Sequence, residues 1–230
     1  MFDAIARRYD ALNHLLSLGL DRRWRRRAIR ALDLTGGERV LDLCTGTGDL
    51  AIAAVTASTG QARDVVGVDF AAGMLRLAHA KVARAGLAGR VRLARGDATA
   101  LPLPSAAVDA AMVAFGIRNV VDPVRGVGEM HRVLRPGGRL AILEFGAPRI
   151  PGVRSLYFAY FKYLLPLVGR AFSRHRDAYS YLPASVIEFP VGAEFGRLLE
   201  QAGFRSVRWK SFTCGIVYLY LAERPGERAA

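Results

Sequence analysis

Five short runs, residues 39–43, 64–69, 91–95, 108–115 and 139–145, are rich in valine, leucine and isoleucine, and helix-length patterns lie between them at about 48–58, 71–85 and 123–134. This alternation constrains the fold more than any other feature of the chain. A strand covered on both faces reads as a continuous apolar run, and an intervening helix returns the chain to the same edge of a parallel sheet. The spacing predicts an α/β domain of the Rossmann-like kind, with helices on both faces of a mostly parallel sheet. "RPGG" at 135–138 supports the end of the helix at 123–134, because glycine reaches positive φ and Pro136 stops helical continuation.

After Gly146 the rhythm changes. "RSLYFAYFKYLLPLVGRAF" and "DAYSYLPASVIEF" are helical in pattern but lie outside the strand and helix alternation, and residues 191–202 read as a further helix. Two strand-like runs, 205–212 and 215–222, joined at Cys214–Gly215, read as a hairpin added to the sheet edge, which brings the expected sheet to seven strands. Ahead of the first strand, residues 1–33 form one or two helices carrying "DRRWRRRAIR". At 230 residues the chain suits one domain. Within it the expected parts are a helical lid at 1–34, a ligand-binding core at 35–146, a helical insertion at 147–190, a helix and hairpin at 191–224, and a tail at 225–230.

The two cysteines, Cys44 and Cys214, suggest neither a disulfide framework nor a cysteine metal cluster, and the compartment reads as reducing. His14, His79, His131 and His175 fall in different elements at no ligand spacing, so no metal is expected. The start "MFDAIARRYD" lacks a secretory apolar core, and the apolar stretch 150–172 is broken by Arg154, Lys162, Pro166 and Arg170, which points to a cytoplasmic protein. The net charge of +13 invites an anionic partner.

The break "ERVLDLCTGTGDLA" at 38–51 ends a strand in glycines and opens a helix, an arrangement that lets a ligand approach the backbone. Gly46 to Ala51 fits a loose dinucleotide fingerprint, but Asp42 and Asp49 flank the loop and would repel a pyrophosphate. A ligand with an amino-acid end and a cationic sulfonium would find those carboxylates useful, and S-adenosyl-L-methionine has that charge pattern. Asp42 is then a partner for the ammonium, Asp69 for the ribose hydroxyls, and Asp97 with the Ala98 amide for the adenine edge. Three acidic side chains at successive strand ends share the carboxyl edge of the sheet, where open α/β folds bind ligands. Each of them taken singly reads equally well as a helix cap.

"DLCTGTGDL", "FGIRNVVD" at 115–122, "RVLRPGGRLAILEF" at 132–145, "YDALNHLLSLGLDRRW" at 9–24, "YSYLPASVIEFP" at 179–190 and "FTCGIVYLYLAER" at 212–224 resemble the motifs of the UbiE/MenG-type quinone-biosynthesis C-methyltransferases. The resemblance implies a class I S-adenosyl-L-methionine-dependent fold and transfer of a methyl group to a ring carbon of a polyprenylated quinol. The product is menaquinol from demethylmenaquinol, or its counterpart from the ubiquinone precursor 2-polyprenyl-6-methoxy-1,4-benzoquinol. It places Gly46, Thr47, Gly48 and Ala114 beside the cofactor, and Asp10, Asn13, Phe115 and Tyr179 beside the substrate. The sequence departs from the family pattern at Asp21, where histidine is usual, at Arg135, where lysine is common, and at Ala114 and Gly146, where relatives carry serine; a hydroxyl contact is not available at Ala114.

Carbon methylation needs an electron-rich ring, so a developing oxyanion has to be stabilised. Arg118 and Asn119, just past the fourth strand, are the expected donors, with Tyr9 beside them from the N-terminal lid; an ion pair is the plain alternative for Arg118. Glu144, ending the fifth strand, is expected on the substrate side as an orienting group. The polyprenyl tail implies contact with an anionic membrane surface, through residues 153–172 or the arginines of "DRRWRRRAIR", while a buried helix or a homodimer interface reads equally well for 153–172. A nucleic-acid methyltransferase would share the fold and explain the charge, but a target-base motif is missing and no nucleic acid is expected. A scaffold protein that binds the cofactor without catalysis, and a methyltransferase of another small aromatic metabolite, complete the alternatives.

Overall fold

The computed structural model describes residues 17, 19–58, 60–148, 150–159 and 185–226. In chain order the elements are α1 (Leu20–Ala31), β1 (Arg39–Leu43), α2 (Asp49–Thr56), β2 (Asp64–Asp69), α3 (Ala72–Arg84), β3 (Val91–Arg95), β4 (Val108–Ala114), α4 (Pro123–Val133), β5 (Leu134–Phe145), α5 (Pro151–Ala159), α6 (Ala193–Gln201), β6 (Arg205–Phe212) and β7 (Val217–Glu223). The seven strands form one sheet in the order β3-β2-β1-β4-β5-β7-β6. The first five run parallel; β7 lies antiparallel to both β5 and β6.

Successive side chains of a strand face opposite sides, and here both sides are covered. Val40, Ala110, Met112 and Ala141 pack under α1 and α2 with Trp24, Ile29 and Ala54, whereas Leu41, Ala111, Val113 and Ile142 pack under α4 and α6 with Met130, Phe195 and Leu199. Double coverage is why the strands read as unbroken apolar runs. β6 is the exception, an edge strand exposed over most of its length, and Arg208 and Lys210 discourage another strand from pairing with it.

Two details differ from the sequence reading. "RPGG" does not lie between helix and strand: α4 ends at Val133 and β5 begins at once, so that Leu134 pairs with Val108 and Arg139 with Ala110. β5 spends five residues where β4 spends two, and Gly137 at φ 78 carries the excursion. The hairpin turn is a 3₁₀ turn, Thr213–Gly215, with β7 starting at Val217 rather than 215.

The strand order reverses between β1 and β4, with β2 and β3 laid to one side and β5 to the other. The helices that follow β1 and β4 therefore lie on opposite faces of the sheet, and a crevice opens at the carboxyl edge beyond the point where their loops part. Among the described residues no helix is long and apolar enough to cross a membrane. Tyr9, Asp10, Asn13 and Tyr179, and most of 153–172, lie outside the described residues.

Candidate functional site

The loop after β1 is shaped by positive φ values at Cys44 (53), Gly46 (58) and Gly48 (82), and it enters α2 with Gly48 as N-cap. Asp69, at the tip of β2, holds this loop: its Oδ2 accepts from the Gly46 amide at 2.8 Å and its Oδ1 from the Ala71 amide at 2.8 Å. Asp42, buried in β1, accepts from Thr45 Oγ1 at 2.6 Å. Burial penalises its charged form and pushes the carboxyl up to about 7. Asp97 accepts from the Thr99 amide at 2.8 Å and from Thr99 Oγ1 at 2.9 Å, and these bonds, the amide foremost, hold it below the usual carboxylate range.

A cavity of about 290 Å³ opens at this edge. Seven of the eight residues that the sequence assigns to the cofactor line it, namely Asp42, Gly46, Thr47, Asp69, Asp97, Ala98 and Ala114. Gly48 does not; it packs toward α3, where an added Cβ would lie 3.3 Å from that of Ala78. Asp49 lines the cavity too, but its charge is met by Lys81 Nζ at 2.6 Å and by Arg25 Nη1 at 3.7 Å. The electrostatic case against a pyrophosphate therefore rests on Asp42 and Asp69. This donor set fits S-adenosyl-L-methionine: its carboxylates accept from hydroxyl, amine and ammonium groups, and they favour a cation.

On the β4 side, Phe115 and Asn119 line the same cavity. Phe115 sits at φ 60, a conformation that costs a residue with a side chain and persists where contacts over-determine it. Its amide donates to Leu143 O at 2.8 Å, its carbonyl accepts from Arg118 Nη1 at 2.8 Å, and its ring stacks on Phe145 at 4.3 Å with Trp24 at its edge. Gly116 follows because the β1 and β4 loops nearly touch: a Cβ there would fall 2.3 Å from Cys44 Cβ.

Arg118 is not among the lining residues. Its guanidinium is buried against Glu144, with Nη1 to Oε1 at 2.5 Å and side-chain exposures of 6% and 1%. Sequence reasoning expected a cation open to the site, with an ion pair as the alternative; the chain forms the ion pair, because Glu144 at the end of β5 points at the 3₁₀ turn Ile117–Asn119 and takes both the side chain and the Arg118 amide, the latter at 3.3 Å. Glu144 itself does not line the cavity; it is fully buried and also accepts from the Phe145 amide at 2.8 Å. Among the described residues, Arg118 Nε and Asn119 Oδ1 are buried without a hydrogen-bond partner. A buried unpaired donor and acceptor are costly, and of the two residues Asn119 is the one that reaches the cavity, where a ligand hydroxyl can meet its oxygen.

Sequence reasoning missed Arg25, Trp24 and Phe145. Trp24 is buried with Ala28 and Ile29, the i, i+4, i+5 stripe of α1, and that spacing is a signal that the helix packs with Arg25 at its margin.

A model of the ubiE/COQ5 methyltransferase family matches residues 1–224. The ubiquinone/menaquinone biosynthesis C-methyltransferase UbiE of Syntrophotalea carbinolica is 48% identical over 229 residues, covering 99% of this chain and 94% of that protein. The demethylmenaquinone methyltransferase of Thermus thermophilus is 45% identical over 225 residues, covering 98% and 100%. A solved SAM-dependent methyltransferase from Thermotoga maritima shares the fold at a TM-score of 0.68 and 18% identity, with 97% of each chain covered.

Proposed function

The chain belongs to the ubiE/COQ5 methyltransferase family, and on that premise we propose that it is an S-adenosyl-L-methionine-dependent C-methyltransferase acting on the ring of a polyprenylated quinol. Demethylmenaquinol is the first candidate substrate and the ubiquinone precursor the second. The observation that carries the reading is the convergence of Asp42 of β1, Asp69 of β2 and Asp97 just past β3 on one cavity that continues to Phe115 and Asn119. The bound cofactor supplies an electrophilic methyl group on a sulfonium.

Asp69 is assigned to the ribose hydroxyls, Asp97 and the Ala98 amide to the adenine edge, and Asp42 to the ammonium. A carboxylate oxygen carries two lone pairs, so accepting a backbone amide does not bar it from accepting a hydroxyl as well. Phe115, stacked and edge-packed, offers a fixed apolar wall for the quinol ring. Glu144 fixes the Arg118 guanidinium and offsets its charge, and Arg118, which lies behind the cavity wall, is assigned to positioning: its Nη1 holds the Phe115 carbonyl at 2.8 Å and so sets the wall against which the ring lies. Arginine keeps its proton at any working pH, so the ring hydroxyl's proton passes to water. Asn119 adds a polar group, and Tyr9, Asp10, Asn13 and Tyr179 are assigned to close the site over the ring and exclude water.

The prenyl chain is met at a membrane surface. Arg22, Arg23, Arg26 and Arg30 of α1 are exposed and suit an anionic headgroup layer. Co-sedimentation with phosphatidylglycerol vesicles at low salt, lost at high salt, is the expected result; no co-sedimentation at low salt removes this contact.

The central test supplies purified protein with methyl-labelled S-adenosyl-L-methionine and, in parallel, demethylmenaquinol, the demethylated ubiquinol precursor and bulk RNA. Label in a quinol and none in RNA is expected. Label in RNA, or in neither quinol, overturns the reading.

A further inference from the structure

Resting on the cofactor reading above, we propose that Arg25 of α1 is the subsite for the carboxylate of the cofactor's amino-acid end. The ligand carries two cationic groups, an ammonium and a sulfonium, and one anion. The cavity mirrors this pattern: among its described lining residues Arg25 is the one basic side chain, set against Asp42, Asp49, Asp69 and Asp97. A carboxylate entering that acidic surround would be repelled unless a cation were held for it.

The guanidinium is held. Asp21, one turn earlier and 2% exposed, takes Arg25 Nη1 at 2.5 Å and itself accepts from Ser17 Oγ at 2.9 Å. On the other side Asp49 lies 3.7 Å from the same nitrogen, and the guanidinium carbon stands 5.7 Å from the centre of the Phe115 ring. These contacts place the group between the mouth of α2 and the wall assigned to the substrate ring. Nη1 is the only nitrogen of Arg25 with a hydrogen bond among the described residues. Nε and Nη2 remain, and a guanidinium presents such donors in the planar fork that a carboxylate accepts. Arg25 also acts electrostatically on Asp42, the residue assigned to the ammonium. The two ends of one α-amino acid would thus meet opposite charges on neighbouring groups. Because Arg25 belongs to α1, cofactor recognition would depend on the helix that follows the N-terminal segment.

The experiment is titration calorimetry of the full chain with two ligands. S-Adenosylhomocysteine has the amino-acid end; 5′-methylthioadenosine shares the adenosine and thioether but lacks it. Arg25→Gln is expected to weaken S-adenosylhomocysteine tenfold or more and to leave methylthioadenosine within twofold, which also shows that the variant is folded. Equal weakening of both ligands, or unchanged affinity for S-adenosylhomocysteine, overturns the assignment. If Arg25→Gln fails to fold, Arg25→Lys carries the same comparison, with a smaller loss confined to S-adenosylhomocysteine. A parent protein that binds neither ligand refutes the cofactor reading itself, a result distinct from the failure of Arg25 alone.

Discussion

Replacing Glu144 with glutamine removes one charge from the buried pair that holds Arg118. Glutamine keeps the size of the side chain and one oxygen for the Phe145 amide, now 2.8 Å from Oε1. It loses the charge that offsets the guanidinium, and with the Oε1 position kept as the oxygen its NH₂ group confronts the Arg118 amide that Oε2 now accepts at 3.3 Å. With side-chain exposures of 6% and 1%, solvent screens this pair little. Breaking a buried pair from one side costs about 3–5 kcal/mol, a large part of the ~5–15 kcal/mol by which a domain is stable. For a urea dependence of about 2.5–3 kcal/mol per molar, the unfolding midpoint should fall by roughly 1–2 M.

The double variant Arg118→Met with Glu144→Gln removes both charges and fills the space with an apolar chain. It should regain a good part of the lost stability, with a coupling of about 1–3 kcal/mol between the sites, yet it should not regain methyl transfer, because the guanidinium that holds the Phe115 carbonyl is gone. Neither residue lines the cavity, so affinity for S-adenosylhomocysteine should stay within about twofold in both variants, the change expected when a residue does not touch the ligand. A midpoint shift below ~0.3 M for Glu144→Gln, or costs that simply add in the double variant, would refute the account of a charge fixed by its partner.

Two further outcomes test the loops. Asp42, raised to about 7 by burial, holds a proton in the empty site below that pH. A bound ammonium favours the carboxylate, so affinity for S-adenosylhomocysteine should rise as pH climbs toward about 7 and level off above it, with a proton released at lower pH. Calorimetry in buffers of different ionisation enthalpy reads that proton, and Asp42→Asn should flatten the profile; a flat profile in the parent protein refutes the argument. The same raised value means that the ligand-free protein binds more protons folded than unfolded, so its stability should decline as pH rises from the ordinary carboxylate range to about 7. Gly116→Ala drives a Cβ to 2.3 Å from that of Cys44, an overpacking worth about 1–3 kcal/mol, which lowers the melting temperature by roughly 2–12 °C for a chain of this length. Cys44→Gly removes the opposing atom at a position with φ 53, so the double variant should melt near the parent; a stable Gly116→Ala protein would show that the two loops are not in firm contact.

What could be read in one dimension was what depends on near neighbours. β1 and β4 were legible because adjacent residues such as Val40 and Leu41, or Ala110 and Ala111, are buried on opposite faces of the sheet and so must both be apolar. The strand-end aspartates were legible for a related reason: once the strands run parallel, their tips share an edge, and Asp42, Asp69 and Asp97 reach it whatever the details of packing. "RPGG" was misplaced because proline and positive-φ glycine mark a helix stop and a strand excursion alike, and only the pairing of β5 with β4 tells them apart.

The pairs that give the site its chemistry are of another kind. Glu144 meets Arg118 across 26 residues, and Arg25 meets Asp49 across a strand and a loop. In sequence the six arginines of α1 are equivalent. What separates Arg25 from the exposed Arg22, Arg23, Arg26 and Arg30 is that Trp24, Ala28 and Ile29 bury one stripe of the helix, which fixes its rotation on the sheet and sets Arg25 over Phe115, with Asp21 one turn before it to hold the guanidinium there. Charge content could predict an anionic partner for this helix; only its rotation assigns one arginine to the cavity and leaves the others to the surface.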